Sequence, residues 1–315
     1  GNIFQTPEMA EVFKRTKNYE PVALAVIDNN EILALLQAVI IHEMGRKFGS
    51  LSSRSIIQGG PIFIENREGF EALKLLMKHY DNKIRNRVIY TEIRNMWDTS
   101  NISNILASMG YVFEEHLNFL VDLTKPQEEL WRNLSRSKRR SIKKAKEKGV
   151  KIEEIRDRNL IAILYSLLKE TYKNAKVPIA DISLFEAAFD ILAPKNMLKI
   201  FMAKHNETYI GGIVVLIYKN TLYEWYVCGS RNYSKLYPSE IVTWHPIEWG
   251  AKNGYSVFDF LGAGKPDKNY GVREFKKRFG GVMVNFGRYK KIYSPLKWLL
   301  VRTGFEIYRR IKFKF

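Results

Sequence analysis

One cysteine, Cys228, stands in 315 residues. That excludes an intrachain disulfide framework and any cysteine-cluster zinc or iron–sulfur site. Histidine is scarce as well. His42, His79, His116, His205 and His245 are scattered, with no HExxH pair, and each reads as a surface or packed side chain rather than a ligand. No metal is expected. Long apolar runs are missing, and the longest mostly apolar stretch, Ile32–Ile41, is about half of what a membrane span requires. Residues 1–5 show no basic stretch leading into an apolar one, so no secretory signal is read there and a cytoplasmic location is expected. Positive charge is absent in excess from the first 120 residues, which carry 13 Lys and Arg against 14 Asp and Glu.

What is present is globular. Hydrophobic residues make up 46% and charged residues 27%, a balance that folds rather than stays disordered, and the length suits two domains. The net charge is +18, and all of the excess lies after residue 120, where 38 Lys and Arg face 19 Asp and Glu. Such asymmetry points to an anionic partner: RNA, an anionic lipid surface or a phosphorylated substrate.

Periodicity gives an alternating order of elements. Thr6 caps a short helix with Pro7 at its first position. Strands 22–28 and 31–41 follow, then strand 54–63 broken by Gly59-Gly60-Pro61, helix 70–79, strand 87–93, helix 102–109 and strand 111–123. The later part opens on a helix over 127–148, stopped by Gly149, with strand 150–155 after it. Helices 160–172 and 183–192 precede three strands, 198–205, 209–218 and 221–229. Helix 238–253, strand 256–261, helix 272–279, strand 282–289 and helix 294–315 close the chain. The order helix 70–79, strand 87–93, helix 102–109, strand 111–119 recurs as helix 238–253, strand 256–261, helix 272–279, strand 282–289. Met109-Gly110-Tyr111-Val112 answers Phe279-Gly280-Gly281-Val282 at an offset of 170. This self-similarity predicts a duplicated α/β domain with a mixed sheet. The copies differ in one helix: Asn104–Ser108 is bland, whereas Arg273–Arg278 is strongly basic.

An ordered set of motifs runs along the chain. It comprises Leu130-Trp131-Arg132-Asn133-Leu134, then Arg139-Arg140-Ser141-Ile142-Lys143-Lys144-Ala145 and Gly149-Val150. Trp225-Tyr226-Val227-Cys228-Gly229-Ser230 and the Trp244–Trp249 helix with Lys252-Asn253-Gly254-Tyr255 continue it. Phe258-Asp259-Phe260-Leu261-Gly262 and Gly271-Val272-Arg273-Glu274-Phe275-Lys276-Lys277-Arg278-Phe279-Gly280 complete it. This set resembles the FemABX-type transferases, and Gln5-Thr6 and Gly59-Gly60-Pro61 resemble that family's N-terminal features. No coiled-coil insertion stands between Tyr165 and Leu198, so the resemblance is to compact members, and Ala263 replaces the second glycine of the aspartate-containing motif. The resemblance implies two tandem GNAT-like domains, each a mixed central sheet flanked by helices. The first is expected over 1–123, completed by helix 294–315, and the second over 124–293. It also implies an acyltransferase that moves an aminoacyl group from charged tRNA onto an amine of a cell-wall or cell-surface precursor, such as peptidoglycan's. The acceptor amine would attack directly, with no covalent enzyme intermediate and no cofactor. An acyl-CoA-dependent N-acyltransferase of surface-glycan synthesis is the alternative, and a non-catalytic RNA-binding protein on this scaffold is the second.

Candidate residues follow from this chemistry. The resemblance places the functional lysine at Lys276, where a cation would stabilise charge developing in acyl transfer, with Lys277 beside it. Asp259 at a strand end and Glu224 on a central strand are candidates for taking a proton or orienting the amine. Tyr226 and Arg231 flank the strand end at Gly229. Lys173 and Lys176, on a helix end before Pro178, are candidate phosphate contacts. Arg136, Arg139, Arg140, Lys143 and Lys144 belong to a stretch, 136–148, with eight Lys and Arg and one acid, Glu147, and are expected to bind tRNA phosphates. Around Gly229 the usual glycine-rich pyrophosphate loop is absent, which counts against CoA. Cys228 reads as a buried strand thiol. The closing segment 294–315 combines aromatic and aliphatic residues with six Lys and Arg and one Glu306. It is expected to dock on the first domain, or to lie on an anionic membrane beside a phosphorylated or lipid-linked acceptor. A monomer, cytoplasmic or peripheral at the inner membrane surface, is expected.

Overall fold

A computed structural model describes residues 1–43, 45, 49 and 52–300. The chain divides into two units: Gly1–Glu115 with the described residues from Phe286 on, and His116–Asn285. Each is built on a seven-stranded mixed sheet.

In the first unit, α1 (Pro7–Arg15) starts as read, with the Thr6 side chain accepting from the Met9 amide. Strands β1 (Tyr19–Asp28) and β2 (Glu31–His42) form an antiparallel hairpin whose turn residues Asn29 and Asn30 both take positive φ, a conformation asparagine tolerates. Then come β3 (Ser53–Gln58), β4 (Ile62–Phe63), α2 (Arg67–Ile84), β5 (Tyr90–Arg94), α3 (Ser103–Ser108) and β6 (Val112–Glu114). The core lies between the sheet and helices α2 and α3, around Leu36, Ile40, Leu73, Met77, Tyr80, Ile93 and Leu106.

The second unit holds β7 (Leu117–Asp122), α4 (Gln127–Asn133), α5 (Arg136–Glu147), β8 (Lys151–Glu154), α6 (Ile161–Ala175) and α7 (Ile182–Leu192). The meander β9 (Leu198–His205), β10 (Thr208–Tyr218) and β11 (Thr221–Gly229) follows, then α8 (Pro238–Lys252), β12 (Val257–Asp259), α9 (Gly271–Lys277) and β13 (Val282–Asn285). Alternation along β9 sends Phe201 and Ala203 into the core under α8, while Met202 lies with Gly212 beneath α6. A Cβ on Gly212 would meet Leu164 of α6 at 2.7 Å, so this glycine permits close packing of α6 on the sheet.

Three expectations change. The helix over 127–148 is two helices, because Leu134 is extended (ψ 142°) and Ser135 caps a new start, accepting from the Lys138 amide. Strands 111–123 and 282–289 each break in two. The chain leaves β6 for β7 in the second sheet, and leaves β13 for β14 (Arg288–Ile292) in the first. Consequently β14 sits between β5 and β6, and β7 sits between β12 and β13. The unit boundaries therefore fall at 115/116 and 285/286 rather than at 123/124 and 293/294, because each sheet accepts a strand from the other side of the break. Asp81 anchors the returning segment. It accepts from the Tyr111 and Tyr293 hydroxyls at 2.8 and 2.6 Å and from the Lys291 ammonium. Beyond β14, Trp298 meets Tyr90 edge-on at 4.9 Å, while Leu296, Leu299 and Leu300 are exposed. The rest of the expected closing helix, 301–315, lies outside the described residues. No described helix is long and apolar enough to cross a membrane.

Candidate active site

The site grows out of a parting of two strands. β11 and β12 run parallel in register Thr221↔Val257, Leu222↔Phe258, Tyr223↔Asp259, and there their pairing stops. β11 continues to Gly229 paired with β10. Within it Val215 faces Glu224 and Val214 faces Tyr226, so Trp225 is an extra residue, a β-bulge. The bulge reverses the alternation. Glu224 shares the face of Leu222 and Val215, under α8, while Tyr226 falls on the α6 side with Tyr172 and Phe185, at ring distances of 5.6 and 4.7 Å.

Lys276 reaches Glu224 from α9. The lysine, expected to be functional and otherwise readable as a surface residue, is buried. Its ammonium lies 3.1 Å from Glu224 Oε1 and donates to the carbonyls of Phe260 and Gly262, so all three N–H bonds are engaged. Glu224 is 4% exposed, and its Oε2 is buried without a hydrogen-bond partner. Burial pushes the Glu224 carboxyl above its ordinary 4.5, against the lowering effect of Lys276, and Asp259 adds to the rise. A buried carboxylate with one unpaired oxygen and a raised pKa is poised to take a proton.

Asp259 lies on the opposite face of the sheet by register, level with Tyr223. Its Oδ1 accepts from Asn118 Nδ2 and from the Leu261 amide, both at 2.7 Å. Asn118 in turn accepts from the Gly262 amide at 2.9 Å. Burial raises the Asp259 carboxyl above 3.8 despite these bonds. The segment they hold is strained: Leu261, with a β-carbon, takes φ 55°, and Gly262 takes φ 118°. Such a leucine costs about 1–3 kcal/mol and persists only where its surroundings fix it. Here Asp259 holds the Leu261 amide, Asn118 the Gly262 amide, and Lys276 the carbonyls of Phe260 and Gly262. Asn118 was not singled out from the sequence. A lone amide within Leu117–Val121 was its signal, but its partner lies 141 residues away.

The remaining candidates spread over the unit. Lys277, next to Lys276, is exposed. Lys173 and Lys176 are exposed at the end of α6, where Lys176 caps the helix with φ 56°. Arg231 is exposed too, and its amide, like the Ser230 hydroxyl, donates to Glu170 of α6, while the Gly229 amide donates to Thr171. Burial pushes the Cys228 thiol up to about 12, which leaves it inert as a nucleophile. On α5, Ile142 and Ala145 are buried inward, while Arg136, Arg140 and Lys143 are exposed and Arg139 and Lys144 half-buried. One basic residue turns the other way: Lys138 is buried beneath α5.

Comparison with known proteins gives this arrangement a setting. Residues 132–277 match the family described as "Acetyltransferase (GNAT) domain". No curated protein matches the sequence. Among solved structures, the crystal structure of FemX is similar with a TM-score of 0.71 at 17% identity, covering 95% of this chain and 94% of that one. The structure of L-PGS from Bacillus licheniformis gives 0.59 at 14%, with 94% and 96% covered. A tandem GNAT protein from the clavulanic acid biosynthesis pathway gives 0.55 at 9%, with 91% and 88% covered. At these identities the likeness is one of fold, and it spans both units. The chain has the tandem GNAT fold, shared with FemX, and its segment 132–277 matches the acetyltransferase (GNAT) domain.

Proposed function

We propose that the protein is an aminoacyltransferase that forms an amide between an aminoacyl group carried on tRNA and an amine of a cell-wall or cell-surface precursor. The observation that carries this reading is the buried Glu224–Lys276 pair at the point where β11 and β12 part, with the partnerless Glu224 Oε2 beside it. The acceptor nitrogen attacks the acyl carbonyl carbon, the C–N bond forms, and the ester bond to the tRNA 3′-oxygen breaks. The proton lost by the attacking nitrogen passes to Glu224 and then to the leaving 3′-oxygen. When Glu224 takes that proton its hold on Lys276 weakens. An ammonium N–H then becomes available as negative charge builds on the carbonyl oxygen. Asp259 acts at one remove, fixing the Leu261–Gly262 turn whose carbonyl Lys276 holds.

Two features favour tRNA over acyl-CoA as the donor. The outer face of α5 carries Arg136, Arg140 and Lys143 exposed, a surface that neutralises phosphates. At the end of β11, the groups that would cradle a pyrophosphate are already occupied by Glu170 and Thr171, so a CoA pyrophosphate would have to displace a carboxylate. The likeness to FemX and to L-PGS supports an acyl-transfer reading through fold alone.

The test is transfer of radiolabel from a total charged-tRNA pool to amine acceptors, with labelled acetyl-CoA in parallel. Amine-dependent deacylation of tRNA is expected, and Lys276→Ala should lower it by about 10²–10³-fold, the scale of losing one transition-state donor. Transfer from acetyl-CoA alone would replace this reading with the acyl-CoA one. Salt-sensitive tRNA binding without transfer from either donor would favour a binding protein.

A further inference from the structure

Lys138 is the one basic residue of the stretch 136–148 that is buried, and so cannot meet a phosphate from outside. It is 5% exposed. Its ammonium lies 2.9 Å from Glu240 Oε1, in the first turn of α8. It also sits over the Phe275 ring at 3.6 Å from the centroid, with Phe279 at 5.3 Å. Phe275 and Phe279 flank Lys276 in sequence, and the Ser135 amide, which opens α5, donates to the Arg278 carbonyl. A single ammonium thus lies where α5, α8 and α9 meet.

This placement carries an electrostatic cost. Burial lowers the Lys138 pKa, against Glu240, and the nearby Arg278 adds to the fall. A methionine of the same reach would fill the volume without that cost. What a cation adds is geometric. It fixes Phe275 through its ring face and ties it to Glu240 by a charge-assisted bond. Helix α9 has only seven residues and no side-chain cap at its start, so its own hydrogen bonds hold it weakly, yet Lys276 must reach two carbonyls and Glu224 from it.

We infer that Lys138 is a positioning residue: it seats Phe275 and so holds the Lys276 ammonium on Glu224 and the Leu261–Gly262 turn. What Lys276 does chemically rests on the transferase reading; its seating by Lys138 does not. In consequence the basic helix has two functions, with Arg136, Arg140 and Lys143 outward and Lys138 inward.

The test uses the full chain and needs no substrate. Wild type, Lys138→Met, Lys138→Arg and Phe275→Leu are treated briefly with acetic anhydride, and the labelling of Lys276 and Lys277 is read by peptide mass spectrometry. In wild type the buried Lys276 should react far more slowly than the exposed Lys277. Lys138→Met should raise Lys276 labelling about tenfold, the loss of one cation–π and ion-pair contact, with Lys277 unchanged. Phe275→Leu should act in the same way, and Lys138→Arg should restore most of the protection. Unchanged Lys276 labelling in a folded Lys138→Met protein overturns the inference. If Lys138→Met fails to fold, Phe275→Leu decides it on the same readout. A transfer assay on the same variants adds a second reading: kcat should fall while KM for charged tRNA stays within about twofold. Absence of transfer in wild type would sink the transferase reading and leave the labelling result standing.

Discussion

At the scale of single residues, the proposed chemistry rests on one carboxylate kept from water. Glu224 has a carboxyl raised above 4.5 by burial, and in the proposed mechanism its ionised form takes the proton. Activity should therefore rise with pH across a limb placed above the ordinary carboxylate range. Glu224→Gln should lose that limb and fall by about 10²–10⁴-fold, the scale of general base catalysis, as read from a pH–rate profile. Stability carries the opposite sign. A carboxyl with a raised pKa in the folded state favours folding fully only below its unfolded value near 4.5, and that contribution is lost as pH rises through the folded value. Melting at pH 5 and pH 8 should show wild type losing stability relative to Glu224→Gln as pH increases. A Glu224→Gln protein that keeps the wild-type profile would remove Glu224 from the proton path.

At the scale of elements, α5 is the part whose surface and interior diverge most. Arg140→Ala and Lys143→Ala remove exposed charges and leave Ile142 and Ala145 in the core. Each should flatten the dependence of log tRNA affinity on log salt by about 0.7–0.9, with melting unchanged. A salt slope unaffected by both would place RNA elsewhere. Much at this scale was legible in the chain. The Thr6 cap is a local signal, and the offset of 170 residues is legible because the same order of elements repeats along the chain. What escaped was non-local or a matter of backbone angle. Nothing in the helical pattern over 127–148 announces that Leu134 is extended, and a one-residue bulge at Trp225, which separates Glu224 from Tyr226, depends on pairing with β10. Lys276 was readable through its motif, but its burial depends on the Phe260 and Gly262 carbonyls, whose directions are set by a strained turn. Lys138 looked like its basic neighbours because helical spacing alone does not say which cation has a partner inside.

At the scale of the whole molecule, the two crossings make the units unequal. The second unit, 116–285, is one continuous stretch containing all seven strands of its sheet. The first needs β14, which follows the second in sequence. Residues 116–285 expressed alone should unfold cooperatively, and residues 1–115 alone should not, as measured by near-ultraviolet circular dichroism and denaturant titration. A cooperative 1–115 fragment would show β14 to be dispensable. The same arrangement bears on how the chain emerges from a ribosome. When residue 115 appears, the first sheet has a gap between β5 and β6, and Asp81 lacks Lys291 and Tyr293. The missing strand arrives 177 residues later, since β14 ends at Ile292. At about 5–20 residues per second that is a wait of roughly 9–35 s. The second unit has all of its strands before then, so the sheet that begins first in the chain is the one completed last.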